Sequence, residues 1–186
     1  MNEQLNPWQV TGEQLVYENP WISLTEYKVI NPSGGKGIYG KVHFKNAAIG
    51  IVALDEAFNT YLVGQYRFPL NAYSWEIPEG GGAFDDILSS AKRELLEETG
   101  LVAQQWTKLM DFHLSNSVSD EYGQVFLAQQ LSQQTPEPEE TEQLVIKKIP
   151  FEEAYQMVRQ GKITDSMSVA AILRVKLMML EGTIKQ

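Results

Sequence analysis

Alternating apolar and polar residues in the first part of the chain predict a group of short β-strands. The alternation runs through QLVYEN, WISLTEYKVI and IYGKVHF, and Asn-Pro pairs and the stretch NPSGGKG separate these segments. Asn, Pro and Gly favour turns, so the breaks are expected to lie between strands. The chain is therefore predicted to begin with a β-rich segment between Gln9 and Phe44.

Two further apolar segments are predicted to form strands buried on both faces, because their hydrophobic character is nearly continuous. They are AAIGIVALDE and TYLVGQYRF, on either side of a turn at Glu56–Asn59. The later segments include strands (TKLMDFHLS, EYGQVFLAQQL, LVIKKIP), two helices (FEEAYQMVRQGK, ITDSMSVAAILRVKLMMLEG) and an exposed loop (SQQTPEPEETEQ). This order predicts an α/β protein in which helices pack on a mixed sheet.

The first strong helical pattern covers Asp86–Thr99. Asp85 is a suitable N-terminal cap for this helix, and Gly100 occupies the position where a left-handed residue commonly ends a helix. The face of the helix that is expected to pack on the core consists of Phe84, Leu88, Ala91 and Leu95.

Three glutamates, Glu94, Glu97 and Glu98, crowd the last turns of this helix beside its apolar face. At about 100° per residue they fall within an arc of roughly 100°. Like charges at this spacing cost about 0.2–0.5 kcal/mol per pair, and acids in the last turn also oppose the helix dipole. One explanation is a solvated charged face, partly paired with Lys92 and Arg93. The other is a divalent cation, because clusters of carboxylate oxygens suit Mg²⁺ or Mn²⁺. Spacing alone leaves both explanations open.

Charge and composition narrow the classes of partner. The formal net charge is −9, with 24 acidic residues against 15 Lys and Arg, so no broad basic surface is expected to follow a nucleic-acid backbone. The absence of cysteine excludes disulfides and Cys-based metal sites and fits a reducing compartment. The N-terminus has no signal-peptide pattern, and no segment approaches the roughly 18 apolar residues of a membrane span. We expect a cytoplasmic protein that binds neither membranes nor polymeric nucleic acid.

The residues around the glutamates resemble a known sequence motif. RELLEETGL, Arg93 to Leu101, agrees at every specified position with the second half of the Nudix box, Arg-Glu-apolar-x-Glu-Glu-x-Gly-apolar. The first half departs from the family pattern, because Gly80 is followed by four residues instead of five and then by Asp85 instead of Glu. Taking Asp86 as the acid is an alternative register, but Asp85 keeps its helical phase relative to Arg93. Gly80 to Gly82 are interpreted as a turn that absorbs the shorter loop.

The flanking segments resemble the ADP-ribose pyrophosphatase and nucleoside diphosphate sugar hydrolase branch of this superfamily. QYRFP and WEIPEGG resemble the segments that lead into the box, and SNSVSDEYGQVFLA resembles a later segment in which a loop Glu, here Glu121, precedes a strand. The branch often has Ser-Pro-Gly in this loop, whereas this chain has Ser-Asn-Ser at positions 115–117. The resemblance implies a Nudix fold, a mixed β-sheet sandwiched between α-helices. It also implies a β-rich N-terminal subdomain, residues 1–45, that builds a homodimer, and a hydrolase domain at residues 46–186.

The resemblance also implies a metal site. Glu94 and Glu98 match the main ligands of Mg²⁺ or Mn²⁺, Glu97 matches a further ligand or a base that orients water, and the backbone carbonyl of Glu79 matches another ligand. Arg93 is expected to orient the glutamates by ion pairing.

Residues outside the box are candidates for catalysis and substrate binding. Glu121 is the candidate general base, with an ordinary exposed loop residue as the alternative. Arg67 is a candidate to bind a phosphate or a terminal ribose, and the alternative is a surface ion pair. Tyr66, Trp21 and Trp75 are candidates for stacking on a base, with core or dimer packing as the alternative.

The implied function is Mg²⁺-dependent hydrolysis of a nucleoside diphosphate sugar, such as ADP-ribose or GDP-mannose, to a nucleoside monophosphate and a sugar phosphate. One alternative is hydrolysis of another nucleotide, such as a dinucleoside polyphosphate, NADH or coenzyme A. Another is a binding module that senses a nucleotide sugar without hydrolysing it.

Overall fold

The structure, a computed structural model, describes residues 5–134 and 144–184. Most of the predicted loop SQQTPEPEETEQ lies outside these residues. Within the described ranges, no helix has the length and apolar character needed to span a membrane. The chain divides into two compact units. The smaller unit contains the residues up to Asn46 together with His113–Tyr122, and the larger unit contains Ala47–Phe112 and the residues from Gly123 onward. The boundary expected after residue 45 had placed His113–Tyr122 in the larger domain.

The smaller unit contains the three strands that the alternating pattern predicted. They form an antiparallel sheet in the order β1, β2, β3, and their bounds are Gln9–Glu18, Ile22–Ile30 and Lys36–Phe44. Asparagines build the turns, because Asn19 Oδ1 accepts hydrogen bonds from the amides of Trp21 and Ile22. Side-chain oxygens of Asn commonly stabilise turns in this way, which is why the Asn-Pro pairs separate strands.

The described residues of the larger unit form two sheets and three α-helices. Its strands are β4 (Ala47–Ala53), β5 (Asn59–Arg67), β6 (Ala72–Glu76), β7 (Glu79–Gly82), β8 (Leu101–His113), β9 (Tyr122–Gln133) and β10 (Val145–Pro150), and its helices are α1 (Ile87–Thr99), α2 (Phe151–Arg159) and α3 (Ser166–Leu180). Strands β6 and β7 were not predicted.

Helices cover both faces of the central sheet, which has the strand order β7, β4, β9, β8. Strand β4 pairs parallel with β9 and antiparallel with β7, so the sheet is mixed. On one face, Ile49 and Ile51 pack with Ala91 and Leu95 of α1. Gly50 points to the other face, where a Cβ added to it would lie 3.5 Å from Cε of Met167 in α3. The predicted sandwich of a mixed sheet between helices is confirmed.

The start of α1 corrects the predicted cap. Asp86, not Asp85, caps the helix, because its side chain accepts a hydrogen bond from the Ser89 amide at 3.1 Å and the helix begins at Ile87. The buried face of the helix therefore runs through Ile87, Ala91, Leu95 and Glu98. Phe84 and Leu88 had been placed on this face, but they are 51% and 37% exposed. Phe84 lies before the helix, and Leu88 lies one residue away from the buried face.

The glycines at positions 80–82 form part of strand β7 and not a turn, which corrects the interpretation of this segment. Gly80 and Gly82 pair with Ile49 and Ala47 of β4. A Cβ on Gly80 would lie 2.1 Å from Cδ of Glu94, and a Cβ on Gly82 would lie 2.6 Å from Cβ of Ser90. Glycine in a strand often marks such a close approach. The glycines therefore allow α1 to lie directly against β7.

Candidate active site

The Glu98 carboxylate is buried where α1 packs against β7. Glu98 is only 3% exposed, because it lies one turn beyond Leu95 on the buried face of the helix. Its Oε2 accepts a hydrogen bond from the backbone amide of Glu79 at 3.0 Å. A buried carboxylate is costly unless it is hydrogen-bonded or paired, so this amide helps to hold the charge in place.

Arg93 connects the other two glutamates of the cluster. Its Nη2 lies 2.7 Å from Oε1 of Glu94, and its Nη1 lies 2.5 Å from Oε2 of Glu97. Nη2 also donates to the carbonyl oxygen of Gly81 at 3.0 Å. These contacts match the ion pairing expected of Arg93 and tie the helix to β7, while its role in activity remains a prediction.

The side chain of Glu79 contacts a part of the molecule that the sequence did not indicate. Its Oε1 accepts a hydrogen bond from Oγ of Ser168, at 2.7 Å, near the N-terminus of α3. Burial raises the pKa of Glu79 well above its ordinary value, and the nearby charge of Asp165 raises it further. Asp165 caps α3 by accepting a hydrogen bond from the Ser168 amide at 2.8 Å. In the sequence, the Asp-x-x-Ser pattern of Asp165 and Ser168 predicts the start of a helix, and it gives no sign of the contact with Glu79.

Arg67 forms an ion pair with Glu76 on the neighbouring strand. Its Nε lies 3.0 Å from both carboxylate oxygens, and its Nη2 lies 2.5 Å from Oε2 of the nearly buried Glu76. Hydrogen bonding to Glu76 raises the pKa of Arg67 despite partial burial. The two residues line a cavity of about 330 Å³ together with Thr164 and Asp165. The ion pair expected as the alternative for Arg67 is present, and binding of substrate by Arg67 remains a prediction.

The structure does not bring Tyr66 to the same face of the sheet as Arg67. The two residues are adjacent in β5, and successive side chains of a strand point to opposite faces. The hydroxyl of Tyr66 donates to Oδ1 of Asn71 at 2.5 Å. Trp75 lies on the face of Tyr66, because it pairs with Gly64. Trp21 belongs to the smaller unit, where it precedes β2 and is 66% exposed.

Glu121 also belongs to the smaller unit, at the end of the segment His113–Tyr122. The neighbouring Asp120 fixes this segment to β3 through an ion pair with Lys41 at 2.7 Å and a hydrogen bond with Nδ1 of His43 at 2.8 Å. Burial alone would raise the pKa of Asp120, but hydrogen bonds from these two residues lower it to about 2. The backbone carbonyl of Glu121 accepts from the Leu114 amide at 3.1 Å. The predicted role of Glu121 as a general base is untested.

The donor atoms of this site suit a hard divalent cation. Across residues 5–134 and 144–184, no three His, Asp or Glu side chains stand in the arrangement of a preformed metal site. The carboxylates of Glu94 and Glu98 nevertheless meet β7, at Gly80 and at the Glu79 amide, and the Glu97 carboxylate is held by Arg93. The available ligands are all oxygen atoms, which Mg²⁺ prefers. The missing side chain of Gly80 provides the space for the Glu94 carboxylate. The residues present therefore fit such an ion.

Comparison with known proteins finds two family matches that together cover most of the chain. Residues 44–167 match the NUDIX domain, and residues 8–42 match the nucleoside diphosphate sugar hydrolase N-terminal domain.

Similar proteins include two that are described as ADP-ribose pyrophosphatases. One, from Mycobacterium tuberculosis, is 36% identical over 174 residues, which are 90% of this chain and 83% of that protein. Another, from Bacillus subtilis, is 32% identical over 133 residues, which are 70% of this chain and 72% of that protein. A solved structure described as an ADP compounds hydrolase superposes with a TM-score of 0.83 at 19% identity and covers 98% of each chain. At that identity, the superposition shows a shared fold alone.

Proposed function

Since the chain belongs to the NUDIX domain family and is a pyrophosphohydrolase, we propose that it hydrolyses the diphosphate linkage of a nucleoside diphosphate sugar. The products would be a nucleoside monophosphate and a sugar phosphate. ADP-ribose is the first substrate to test, because two similar proteins are described as ADP-ribose pyrophosphatases. The proposed cofactor is Mg²⁺, with Mn²⁺ as the alternative.

The observation that carries the proposal is the buried Glu98 carboxylate, held by the Glu79 amide beside Glu94. Glu94, Glu97 and Glu98 would hold the cation, together with the backbone carbonyl of Glu79. When bound, a divalent cation supplies the positive charge that a diphosphate requires and lowers the pKa of water.

The protein's own residues would orient the reactants. Arg93 would keep Glu94 and Glu97 in place, and Glu97 would orient the attacking water. Glu121 is proposed to accept the proton of that water, delivered by its loop. Arg67 is proposed to bind a phosphate or a terminal ribose. Tyr66, on the opposite face of β5, and Trp21, in the smaller unit, are proposed to stack on the base.

The first test is a substrate panel of ADP-ribose, GDP-mannose, UDP-glucose and ADP-glucose, with and without Mg²⁺. Phosphate release would be coupled to a phosphatase. Dinucleoside polyphosphates, NADH and coenzyme A belong in the same panel, because hydrolysis of one of these alone would move the substrate to another class. Calorimetry with ADP-ribose tests the remaining alternative, a module that binds a nucleotide sugar without hydrolysing it. Mg²⁺-dependent binding without product formation would identify such a sensor.

The glutamate cluster is tested by Glu98→Gln. We expect kcat to fall by more than about 100-fold, because even residues that only orient metal ligands contribute 10- to 100-fold. Glu153→Gln in α2 is the control, since this half-exposed side chain lies outside the glutamate cluster and its ion pair with Lys147 is long, at 3.5 Å. Undiminished turnover in Glu98→Gln would exclude the proposed site.

A further inference from the structure

Ser168 uses its hydroxyl to hold the segment that leads into β7. The residue is completely buried. Its Oγ accepts a hydrogen bond from the Ile77 amide at 3.0 Å and donates one to Oε1 of Glu79 at 2.7 Å. One hydroxyl therefore fixes the chain on both sides of Pro78.

The same segment also carries the amide that holds Glu98. The carbonyl of Pro78 accepts a hydrogen bond from the Ile51 amide at 2.9 Å, which fixes the segment to the central strand. The amide of Glu79 points to Glu98 Oε2 at 3.0 Å. A continuous series of hydrogen bonds thus runs from Ser168 in α3, through the segment 77–79, to the carboxylate in α1.

We propose that Ser168 is a positioning residue for the metal site: it holds Ile77 and Glu79 so that the Glu79 amide orients the Glu98 carboxylate. This inference rests on the proposed function, because it assigns to Glu98 the role of a metal ligand. It adds a residue from α3, which lies outside the Nudix box, to the residues that determine metal affinity. It also gives the Glu79 side chain a role that is separate from its backbone carbonyl.

A purely structural role for Ser168 makes a different prediction. Loss of a buried, fully hydrogen-bonded hydroxyl then lowers the midpoint of thermal unfolding, while the folded protein binds metal as before. A positioning role instead lowers the metal affinity of the folded protein. The two roles are separated by measuring metal binding directly, at a temperature well below the unfolding midpoint.

The experiment is calorimetric titration of the full chain with Mn²⁺ in the absence of substrate. Ser168→Ala is expected to weaken Mn²⁺ binding by about 10- to 100-fold, the range found when residues that orient metal ligands are removed. Ile172→Ala is the matched control, because Ile172 is fully buried one turn further along α3. This control is expected to lower the unfolding midpoint and to leave Mn²⁺ affinity unchanged. Activity of Ser168→Ala should recover at high Mg²⁺ concentration.

Variants of Glu79 test the same hydrogen bond by changing its acceptor. They remain informative if Ser168→Ala does not fold. Glu79→Met removes the acceptor for the Ser168 hydroxyl and should reproduce the loss of Mn²⁺ affinity. Glu79→Gln keeps an acceptor oxygen for the Ser168 hydroxyl and should weaken Mn²⁺ binding less than Glu79→Met does. Both substitutions remove the hydrogen bond between Ser168 and Glu79, and Ser168→Ala also removes the one from the Ile77 amide. The double variant Ser168→Ala/Glu79→Met should therefore bind little worse than Ser168→Ala alone.

The outcomes distinguish this inference from the proposed function. If the wild type binds Mn²⁺ and hydrolyses its substrate while Ser168→Ala or Glu79→Met binds Mn²⁺ equally well, only the positioning role is overturned. If the wild type does not bind Mn²⁺, the metal requirement of the proposed function fails, and the positioning role fails with it.

Discussion

At the scale of single residues, Gly80 marks the closest approach of the sheet to the glutamates. A Cβ at this position would lie 2.1 Å from Cδ of Glu94 and 2.4 Å from each of its carboxylate oxygens. We expect Gly80→Ala to displace this carboxylate and to lower kcat by about 100-fold, since a shift of about 1 Å in a catalytic group has effects of that size. Stability should change little, because the flexible end of Glu94 moves instead of the backbone.

Steady-state kinetics and thermal unfolding of Gly80→Ala test this expectation. Gly37→Ala is the control, because a Cβ on Gly37 in β3 meets no atom within 4 Å. Full activity in Gly80→Ala would show that the position of Glu94 is not important for turnover.

The sequence identified residues whose chemistry depends on local spacing and missed those that depend on distant contacts. Arg93 and Glu97 are four residues apart on one helix, so their ion pair follows from the helical period. Ser168 and Glu79 are 89 residues apart, and only the packing of α3 beside β7 brings them together. The Ser168 hydroxyl was therefore invisible as part of the site.

At the scale of secondary-structure elements, the start of α1 distinguishes two adjacent aspartates. Asp86 accepts the hydrogen bond from the Ser89 amide that caps the helix, and Asp85 does not. We expect Asp86→Ala to lower the unfolding midpoint by about 2–4 °C, the effect of losing one helix cap in a domain of this size. Asp85→Ala should leave the midpoint unchanged. Differential scanning calorimetry of the two variants measures the difference, and equal losses would contradict the assignment of the cap.

The turn between β4 and β5 predicts a dependence of stability on pH. Asp55 accepts hydrogen bonds from the amides of Ala57 and Asn59 at 3.0 and 2.8 Å, and it pairs with Lys148 at 2.7 Å. Burial alone would raise the pKa of Asp55, but hydrogen bonds from Lys148 and Asn59 lower it overall. Because the pKa of Asp55 is lower in the folded protein than its ordinary value of about 3.9, ionised Asp55 stabilises the folded protein at pH values above about 3.9. This stabilisation is lost as the pH falls through the lowered pKa.

The variant Asp55→Asn tests this dependence, because the neutral asparagine cannot form the ion pair with Lys148. Urea unfolding should show the wild type to be more stable than the variant at pH 7, and this difference should shrink below about pH 4. A difference that stays constant across the same range would mean that ionisation of Asp55 does not stabilise the turn.

Elements with a clear hydrophobic period were predicted, whereas β6 and β7 were not. Strands β1 to β5 and β8 to β10 have alternating or continuous apolar residues that a sheet can bury. Strand β7 is mostly glycine, and a run of glycines in a sequence predicts a turn or loop. Its strand conformation comes from pairing with β4 and from the close packing of α1, both of which are tertiary contacts.

At the scale of the whole molecule, the homodimer expected from the sequence remains a prediction. The smaller unit exposes apolar side chains on both edge strands of its sheet, and exposed apolar patches often mark interaction surfaces. These side chains are Val10, Leu15, Val16, Tyr17 and Ile38.

Light scattering should give twice the 21.0 kDa mass of one chain. Ile38→Glu should reduce this mass, and Lys36→Gln on the same strand serves as the control. A wild-type mass of one chain would exclude the predicted homodimer.

In the proposed metal site, the burial of Glu98 would make the stability of the whole molecule sensitive to the concentration of free divalent cation. A ligand that binds the folded chain and not the unfolded chain shifts the folding equilibrium by mass action, by about 2.7 kcal/mol at 100 times its dissociation constant. The carboxylate that is costly to bury in the metal-free protein is the one that a bound cation would neutralise. Chelation would therefore act on folding as well as on turnover, and the fraction of folded protein would depend on the supply of metal.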